Sequence, residues 1–367
     1  MAFRVLVFFI AFGVAACADR SIAPVLPEAM ASDNLAEVFI ATNRGTNAAG
    51  YFDETRSDKL SFVHSWVSMP PDRVAGDPPL FKPKPNLKKH FALASQDTYP
   101  SGSAFLADIR KRLAQLPPEN REVTLYVHGF YNGYADTVFR MAQMYTDFGA
   151  EGIPMVFAWP SAGSPTGYTY DRDSALHARD ELEELLYMLP QTGARNILVV
   201  GHSMGGMLLM ETLRQIEIAR PGWAAANISS TLLMSPDISI DVFREQAKRA
   251  GTLPQPFIVV TSKEDKVLKL SSLVNKETDR LGLGNSIDEL TEFPITFVDI
   301  TRFSKTADNP HFVLAESPAL ISMMTAVRQM PNFAHADAQS TLGSLASSSL
   351  QVQNATEYEL TPDLPRN

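Results

Sequence analysis

Between residues 195 and 220 the chain reads R-N-I-L-V-V-G-H-S-M-G-G-M-L-L-M-E-T-L-R-Q-I-E-I-A-R, and no other stretch limits the fold as tightly. Ile197, Leu198, Val199 and Val200 form a short apolar run suited to a parallel strand covered on both faces. Beyond Gly201 the period changes. Met204, Met207, Leu208, Leu213 and Ile216 follow the spacing of an amphipathic helix whose apolar stripe packs back on a sheet. The join between strand and helix is Gly201-His202-Ser203-Met204-Gly205, a G-x-S-x-G on a tight, strained turn whose glycines keep Cβ atoms out of a crowded space. The serine hydroxyl therefore projects at the carboxyl end of the sheet, toward the positive end of the helix, where developing negative charge is favoured. The pentapeptide alone means little, since a glycine-rich turn with an ordinary serine is spelled the same way. Its weight comes from the strand before it, the helix after it and the partners downstream.

The same alternation runs through most of the chain. Strand-like runs at residues 123–127, 154–159, 197–200, 231–234, 257–260 and 295–300 alternate with helical patterns near 134–148, 172–189, 204–219, 239–250, 266–275 and 317–328. Such alternation specifies a mostly parallel sheet with helices on both faces. Upstream, residues 38–42 and 62–69 read as strands, with a further one at 90–94. Ser101 or Ser103 caps a helix reaching Leu116, with Phe105, Ile109 and Leu113 on one stripe. Pro70-Pro71 opens a proline-dotted connection in which Lys82, Lys84, Lys88 and Lys89 make a basic run, either a solvated face or a contact for anionic headgroups. A chain of 367 residues can bury a large core. The expected domain spans 34–330, with N-terminal strands and helix at 34–120 and a catalytic core at 121–330. The tail at 331–367, which contains T-L-G-S-L-A-S-S-S-L, is predicted to be disordered.

The formal net charge of -9 argues against nucleic acid as a partner. At the N-terminus Arg4, an apolar run at 5–14 and small residues at Val14-Ala15-Ala16 read as an export signal, residues 1–16, too short to span a bilayer comfortably. Cys17 follows at once and is the only cysteine, so no internal disulfide is open to it. V-A-A-C resembles the lipobox of bacterial lipoproteins, which implies acylation of the Cys17 thiol and anchoring to a membrane of the bacterial envelope. Residues 17–33 then read as the lipidated cysteine and a tether.

A serine hydroxyl becomes a nucleophile when an imidazole takes its proton, and that imidazole needs a carboxylate to hold its tautomer. Of the seven histidines, His64, His90, His177 and His335 fall in peripheral strands, a helix or the tail, and His202 sits on the turn itself. His311, in D-N-P-H-F-V-L ahead of the final helix, is the expected base. Asp265, in T-S-K-E-D-K-V-L, is the expected acid, with Glu264 and Asp237 as alternatives. Two donors for an oxyanion are expected from the backbone N–H of Met204 and of Phe130, the latter in His128-Gly129-Phe130 after the first core strand. A loop from Trp159 through Tyr168 and Tyr170 is either an aromatic rim at the mouth or packing on the next helix. Residues 277–293 are either a lid or a surface excursion.

The order H-G-F, G-H-S-M-G-G, Asp265, His311 resembles the α/β-hydrolase superfamily. The stretches A-T-N-R, Y-V-H-G-F, F-A-W-P-S-A-G, Y-D-R-D-S-A, V-G-H-S-M-G-G, S-P-D-I-S-I-D-V-F and A-E-S-P resemble one bacterial branch, the DUF900 family, over residues 36–325. The resemblance implies an α/β-hydrolase fold and a serine hydrolase that needs neither cofactor nor metal, and it says little about substrate. The expected activity is cleavage of small-molecule or lipid carboxylic esters. An acyltransferase on the same three residues and a non-catalytic envelope scaffold are the alternatives.

Overall fold

The computed structural model describes residues 23–276, 279–305, 307–328, 346 and 348–362. The expected signal peptide and Cys17 lie outside the described residues, as does most of residues 329–347. Along the chain run β1 (Leu35–Thr46), β2 (Phe52–Ser68), β3 (Ala92–Thr98), α1 (Gly102–Gln115), β4 (Glu122–Val127), α2 (Tyr134–Asp147), β5 (Ile153–Ala158), α3 (Tyr168–His177) and α4 (Arg179–Met188). Then follow β6 (Asn196–His202), α5 (Met204–Ala219), α6 (Trp223–Asn227), β7 (Ser230–Met234), α7 (Ile240–Ala250), β8 (Phe257–Thr261) and α8 (Lys266–Asn275). The last elements are β9 (Thr296–Asp299), α9 (Thr301–Ser304), α10 (Val313–Glu316), α11 (Pro318–Arg328), β10 (Ser348–Val352) and β11 (Ala355–Glu359).

All the described strands join one sheet in the order β10-β11-β9-β8-β7-β6-β4-β5-β1-β2-β3. From β1 through β5, β4, β6, β7, β8 and β9 to β11 neighbouring strands are parallel, while β1–β2, β2–β3 and β10–β11 are antiparallel. Successive side chains point to opposite faces, so Val199 joins one core and Val200 the other. The first core gathers Phe105, Leu185, Leu208 and Phe243 from α1, α4, α5 and α7. The second gathers Phe139, Leu314 and Leu320 from α2, α10 and α11. After β4 the chain moves to one side for β5, and with β6 it crosses to the other. The carboxyl ends of β4 and β6 therefore flank a topological switch point, the usual crevice for ligands in open α/β sheets.

Three expectations are corrected. The helix expected at 172–189 is two helices, α3 and α4, and α3 starts at Tyr168 because Asp171 is drawn into hydrogen bonds with Ser161 and Ala162. The expected tether packs on the domain from residue 23 onward: Leu26 N–H donates to Leu93 O at 2.8 Å, and Ala29 is fully buried against Ala92 and Ala94. The expected disordered tail contains the β10–β11 hairpin. Its sequence is poor in apolar residues, but the open edge of β9 supplies the backbone partners: Thr356 N–H donates to Ile295 O at 3.0 Å and Leu360 N–H to Asp299 O at 2.9 Å. Ala355 is buried in the core on one face of the sheet, and Tyr358 and Leu360 in the core on the other. Tyr358→Ala is expected to cost about 3 kcal/mol of stability, read from urea unfolding of the full chain. A tail that does not pack would give no change.

Candidate active site

Ser203 has φ 52° and ψ -122°, a conformation that a side chain rarely adopts and that stores on the order of 1–3 kcal/mol of strain. Neighbouring strands hold it there. Ser203 N–H donates to Met234 O at 3.0 Å, while Ser203 O accepts from Gly206 N–H at 3.0 Å and from Asp237 N–H at 3.2 Å. The first turn of α5 then presses on the end of β4. A Cβ at Gly205 would lie 2.2 Å from His128 O, and one at Gly129 would lie 2.8 Å from Ser203 Cβ. Only glycine fits either position, and the H-G-F loop passes directly beside the serine as a result. Among the described residues the backbone N–H groups of Met204 and Phe130 meet no hydrogen-bond acceptor. They have the chemistry of an oxyanion pair.

The two candidates for base and acid are joined. His311 Nδ1 donates to Asp265 Oδ2 at 2.7 Å, with the carboxylate fully buried and the ring nearly so. Asp265 is placed by capping α8: its Oδ1 accepts from the N–H groups of Val267 and Leu268, both at 3.0 Å. In a neutral ring, donation from Nδ1 leaves Nε2 as the acceptor, the tautomer a general base requires. Among the described residues no hydrogen bond joins Ser203 Oγ to this ring, and such bonds are commonly long until substrate is in place. The alternative acids are engaged elsewhere. Asp237 accepts from Ser271 Oγ at 2.8 Å and Tyr168 OH at 3.0 Å and lies 3.3 Å from Arg280 Nε; Glu264 pairs at the surface with Lys269.

His202 proves to be a support that the sequence reading passed over. Its Nε2 donates to His311 O at 3.3 Å, and its ring stacks on Phe312 at 4.0 Å. Phe312 in turn lies under Arg140, which pairs with Glu316 at 2.8 Å. This stack fixes the loop carrying His311. The H-G-F loop has a support of its own. Trp159 is fully buried, stacks on His128 at 4.6 Å and donates from Nε1 to His128 O at 2.7 Å, so it belongs to the core rather than to a rim. Tyr168 does reach the rim, edge-on to Phe130 at 5.4 Å, whereas Tyr170 OH is tied to Glu54 O. The described part of 277–293 is packed, with Leu281, Leu283, Leu290 and Phe293 buried, and is not a lid.

Beneath the loop lies a buried polar knot. Arg44, from A-T-N-R, donates to Asn132 O at 2.8 Å and to Ser161 O at 3.1 Å. Asp171 accepts from Ser161 Oγ at 2.5 Å, Ala162 N–H at 2.6 Å and Tyr131 N–H at 3.1 Å. Burial lowers the Arg44 guanidinium to about 10 against the pull of Asp171, and burial raises the Asp171 carboxyl. Arg44 also donates to Asp53 O at 3.1 Å, so the two groups together tie β2 to the backbone between residues 130 and 162, which sets the height of the loop over Ser203. Among the described residues no three His, Cys, Asp or Glu side chains gather as metal ligands would.

A parallel sheet of this order, with a strained serine on the strand-to-helix turn beside a buried acid–imidazole pair, defines an α/β-hydrolase fold. The chain belongs to the family described as "Alpha/beta hydrolase of unknown function (DUF900)", matched over residues 103–328. No curated protein gives a significant match. Among solved structures, the chain is similar to a Trichoderma reesei cutinase in complex with a phosphonate inhibitor (15% identity, TM-score 0.31, covering 60% of this chain and 85% of that one). It is also similar to an ester-hydrolase from the metagenome of Lake Arreo (11%, 0.35, 82% and 84%) and to Pyrobaculum calidifontis esterase (12%, 0.33, 83% and 85%).

Burial lowers His128 to about 3, helped by the nearby Arg44 charge and opposed by two facing carbonyls; burial and the neighbouring His311 also hold His202 well below 6.5. Both are neutral when folded. In the unfolded chain they take up protons below about pH 6.5. Their contribution to stability is therefore complete above that pH and is lost as pH falls from 6.5 toward the folded values, by about 2 kcal/mol at pH 5 for His128 and in the same direction for His202. Urea unfolding at pH 7, 6 and 5 should show the loss, and His202→Gln should flatten the slope. An unchanged slope in the variant would contradict a neutral, buried His202.

Proposed function

We propose that this protein hydrolyses carboxylic esters through an acyl-enzyme on Ser203, with His311 as base and then acid and Asp265 orienting the imidazole. The observation that carries the reading is the 2.7 Å bond from His311 Nδ1 to buried Asp265, which follows the carboxyl end of β8 as the strained serine follows that of β6. Ser203 Oγ attacks the ester carbonyl and passes its proton to His311 Nε2. The carbonyl oxygen becomes an oxyanion, for which the N–H groups of Met204 and Phe130 are the donors; one such donor typically contributes about a hundred- to a thousandfold in turnover. The tetrahedral adduct collapses, breaking the bond to the alcohol oxygen, and His311 returns the proton to the departing alcohol. Water then attacks the acyl-serine by the same route and releases the acid.

Burial supports this chemistry: Asp265 has no solvent exposure, so its charge acts on the imidazolium at low local dielectric. We further propose that acylation of Cys17 tethers the enzyme to a membrane of the bacterial envelope. Cys17→Ser should move the chain from the membrane fraction to the soluble one, and unaltered fractionation would count against the anchor.

On a short-chain nitrophenyl ester, Ser203→Ala is expected to lose all turnover above background, and Asp265→Asn to lose on the order of 10³–10⁴-fold in kcat. Asp237→Asn should keep kcat within about tenfold, because Asp237 serves Ser271, Tyr168 and Arg280 instead of the imidazole. The opposite ranking of the two aspartates would assign the acid to Asp237.

A further inference from the structure

α8 is folded inside out. Toward the protein it turns Leu268 with Ser271 and Ser272, and toward solvent it turns Val267, Leu270, Leu273 and Val274, which are 43%, 61%, 76% and 64% exposed. The inward serines are satisfied: Ser271 Oγ donates to Asp237 and Ser272 Oγ to Leu268 O. The outward apolar side chains have no such account. A contiguous apolar face on one helix is a feature that soluble surfaces normally avoid and contact surfaces require.

The charges beside that face say what it meets. Lys263, Lys266, Lys269 and Lys276 are all exposed around it, in a chain whose net charge is -9. Among the described residues of the helix and its N-terminal flank, Glu264 is the exposed-side acid, paired with Lys269 at 3.4 Å at the surface, where such a pair is worth little; Asp173 stands beside Arg172, and Glu277 and Asp279 follow Lys276 in the sequence. Arg172 adds another cation, its guanidinium donating to Asn275 Oδ1. We propose that the outward face of α8 docks the protein on an anionic phospholipid bilayer, with Val267, Leu270, Leu273 and Val274 entering the acyl boundary and the lysines at the headgroups. Leucine and valine flanked by lysine on a short helix is the composition of an interfacial contact. A second copy of the chain fits less well, since a two-fold pairing of α8 with itself brings lysine against lysine. The contact is peripheral, because α8 is 10 residues long and buries its other side against the protein.

The position of the helix gives the docking a consequence. α8 is capped by Asp265, and its inner side reaches the rim through Ser271 Oγ, 3.2 Å from Tyr168 OH, whose ring lies against Phe130. A bilayer held on α8 therefore lies beside the mouth of the site and favours esters that reside in membranes. That consequence rests on the serine-hydrolase reading; the docking does not.

The test uses the full chain carrying Cys17→Ser, so that acylation supplies no attachment, and sedimentation with vesicles of phosphatidylcholine alone or mixed with phosphatidylglycerol. The parent should bind the mixed vesicles more tightly, and added salt should weaken it. Leu270→Ser/Leu273→Ser/Val274→Ser and, separately, Lys266→Glu/Lys269→Glu should each weaken that binding about tenfold or more, with thermal unfolding and turnover of a soluble short-chain ester unchanged. Binding unaffected by both variants, equal binding to neutral vesicles, or no vesicle binding together with a dimer that the triple variant abolishes would each overturn the proposal. A parent inactive on esters that still docks through α8 would support the docking and count against the hydrolase reading alone.

Discussion

The first turn of α5 touches the end of β4 so closely that backbone meets backbone, and the rest of the site depends on that contact. With no room for a Cβ at Gly205 or Gly129, the loop after β4 and the turn after β6 are held at van der Waals distance. The parallel register that sets Val127 opposite Gly201 brings them to the same height. Strain at Ser203 is tolerated because hydrogen bonds from three directions fix its backbone, and the sheet order makes the crevice between these two strands the place where the chain reverses direction. The placing of the Ser203 hydroxyl beside two backbone N–H groups that meet no acceptor among the described residues is thus a product of backbone packing before any substrate is considered.

Precision at that point is carried by two buried supports on opposite sides of the serine. On one side Arg44 and Asp171 spend their charges on the backbone of residues 130–162, linking the antiparallel β1–β2 region to the loop that carries Phe130. On the other side His202, Phe312, Arg140 and Glu316 stack to hold the loop that carries His311. Asp265 belongs to both purposes, since the carboxylate that caps α8 also accepts from the imidazole. A buried charge that ties down two elements at once resists the small displacements to which this kind of chemistry is most sensitive.

Much of this was legible in the text of the chain, for identifiable reasons. Buried parallel strands must be apolar on both faces and their helices striped, so the core strands and α5, α7, α8 and α11 were expected within a residue or two of where they lie. Ser203 and Asp265 were nameable because each sits just past a strand end, and His311 because it lies in the loop ahead of a late helix; the structure joins the last two while binding Asp237 and Glu264 elsewhere. Features that depend on partners distant in sequence were not legible. The first half of β2 is polar and exists through pairing with β1, and the β10–β11 hairpin exists because β9 offers an edge. For Trp159 the sequence leaves a rim position and packing on the next helix equally open, and neither describes it: its ring lies under His128, whose carbonyl takes its only donor. Arg44 was visible within A-T-N-R, yet nothing in its spacing says that its guanidinium would turn inward to three carbonyls.

The claim on which all of this converges is that Ser203 is a nucleophile set by the elbow and activated through His311. Covalent capture by a fluorophosphonate, followed by mapping of the modified peptide by mass spectrometry, tests it without knowledge of the natural ester. The account predicts one phosphonyl adduct on Ser203, with the rate of capture falling sharply in His311→Gln. Unmodified protein after prolonged exposure, or an adduct on another residue, would contradict it.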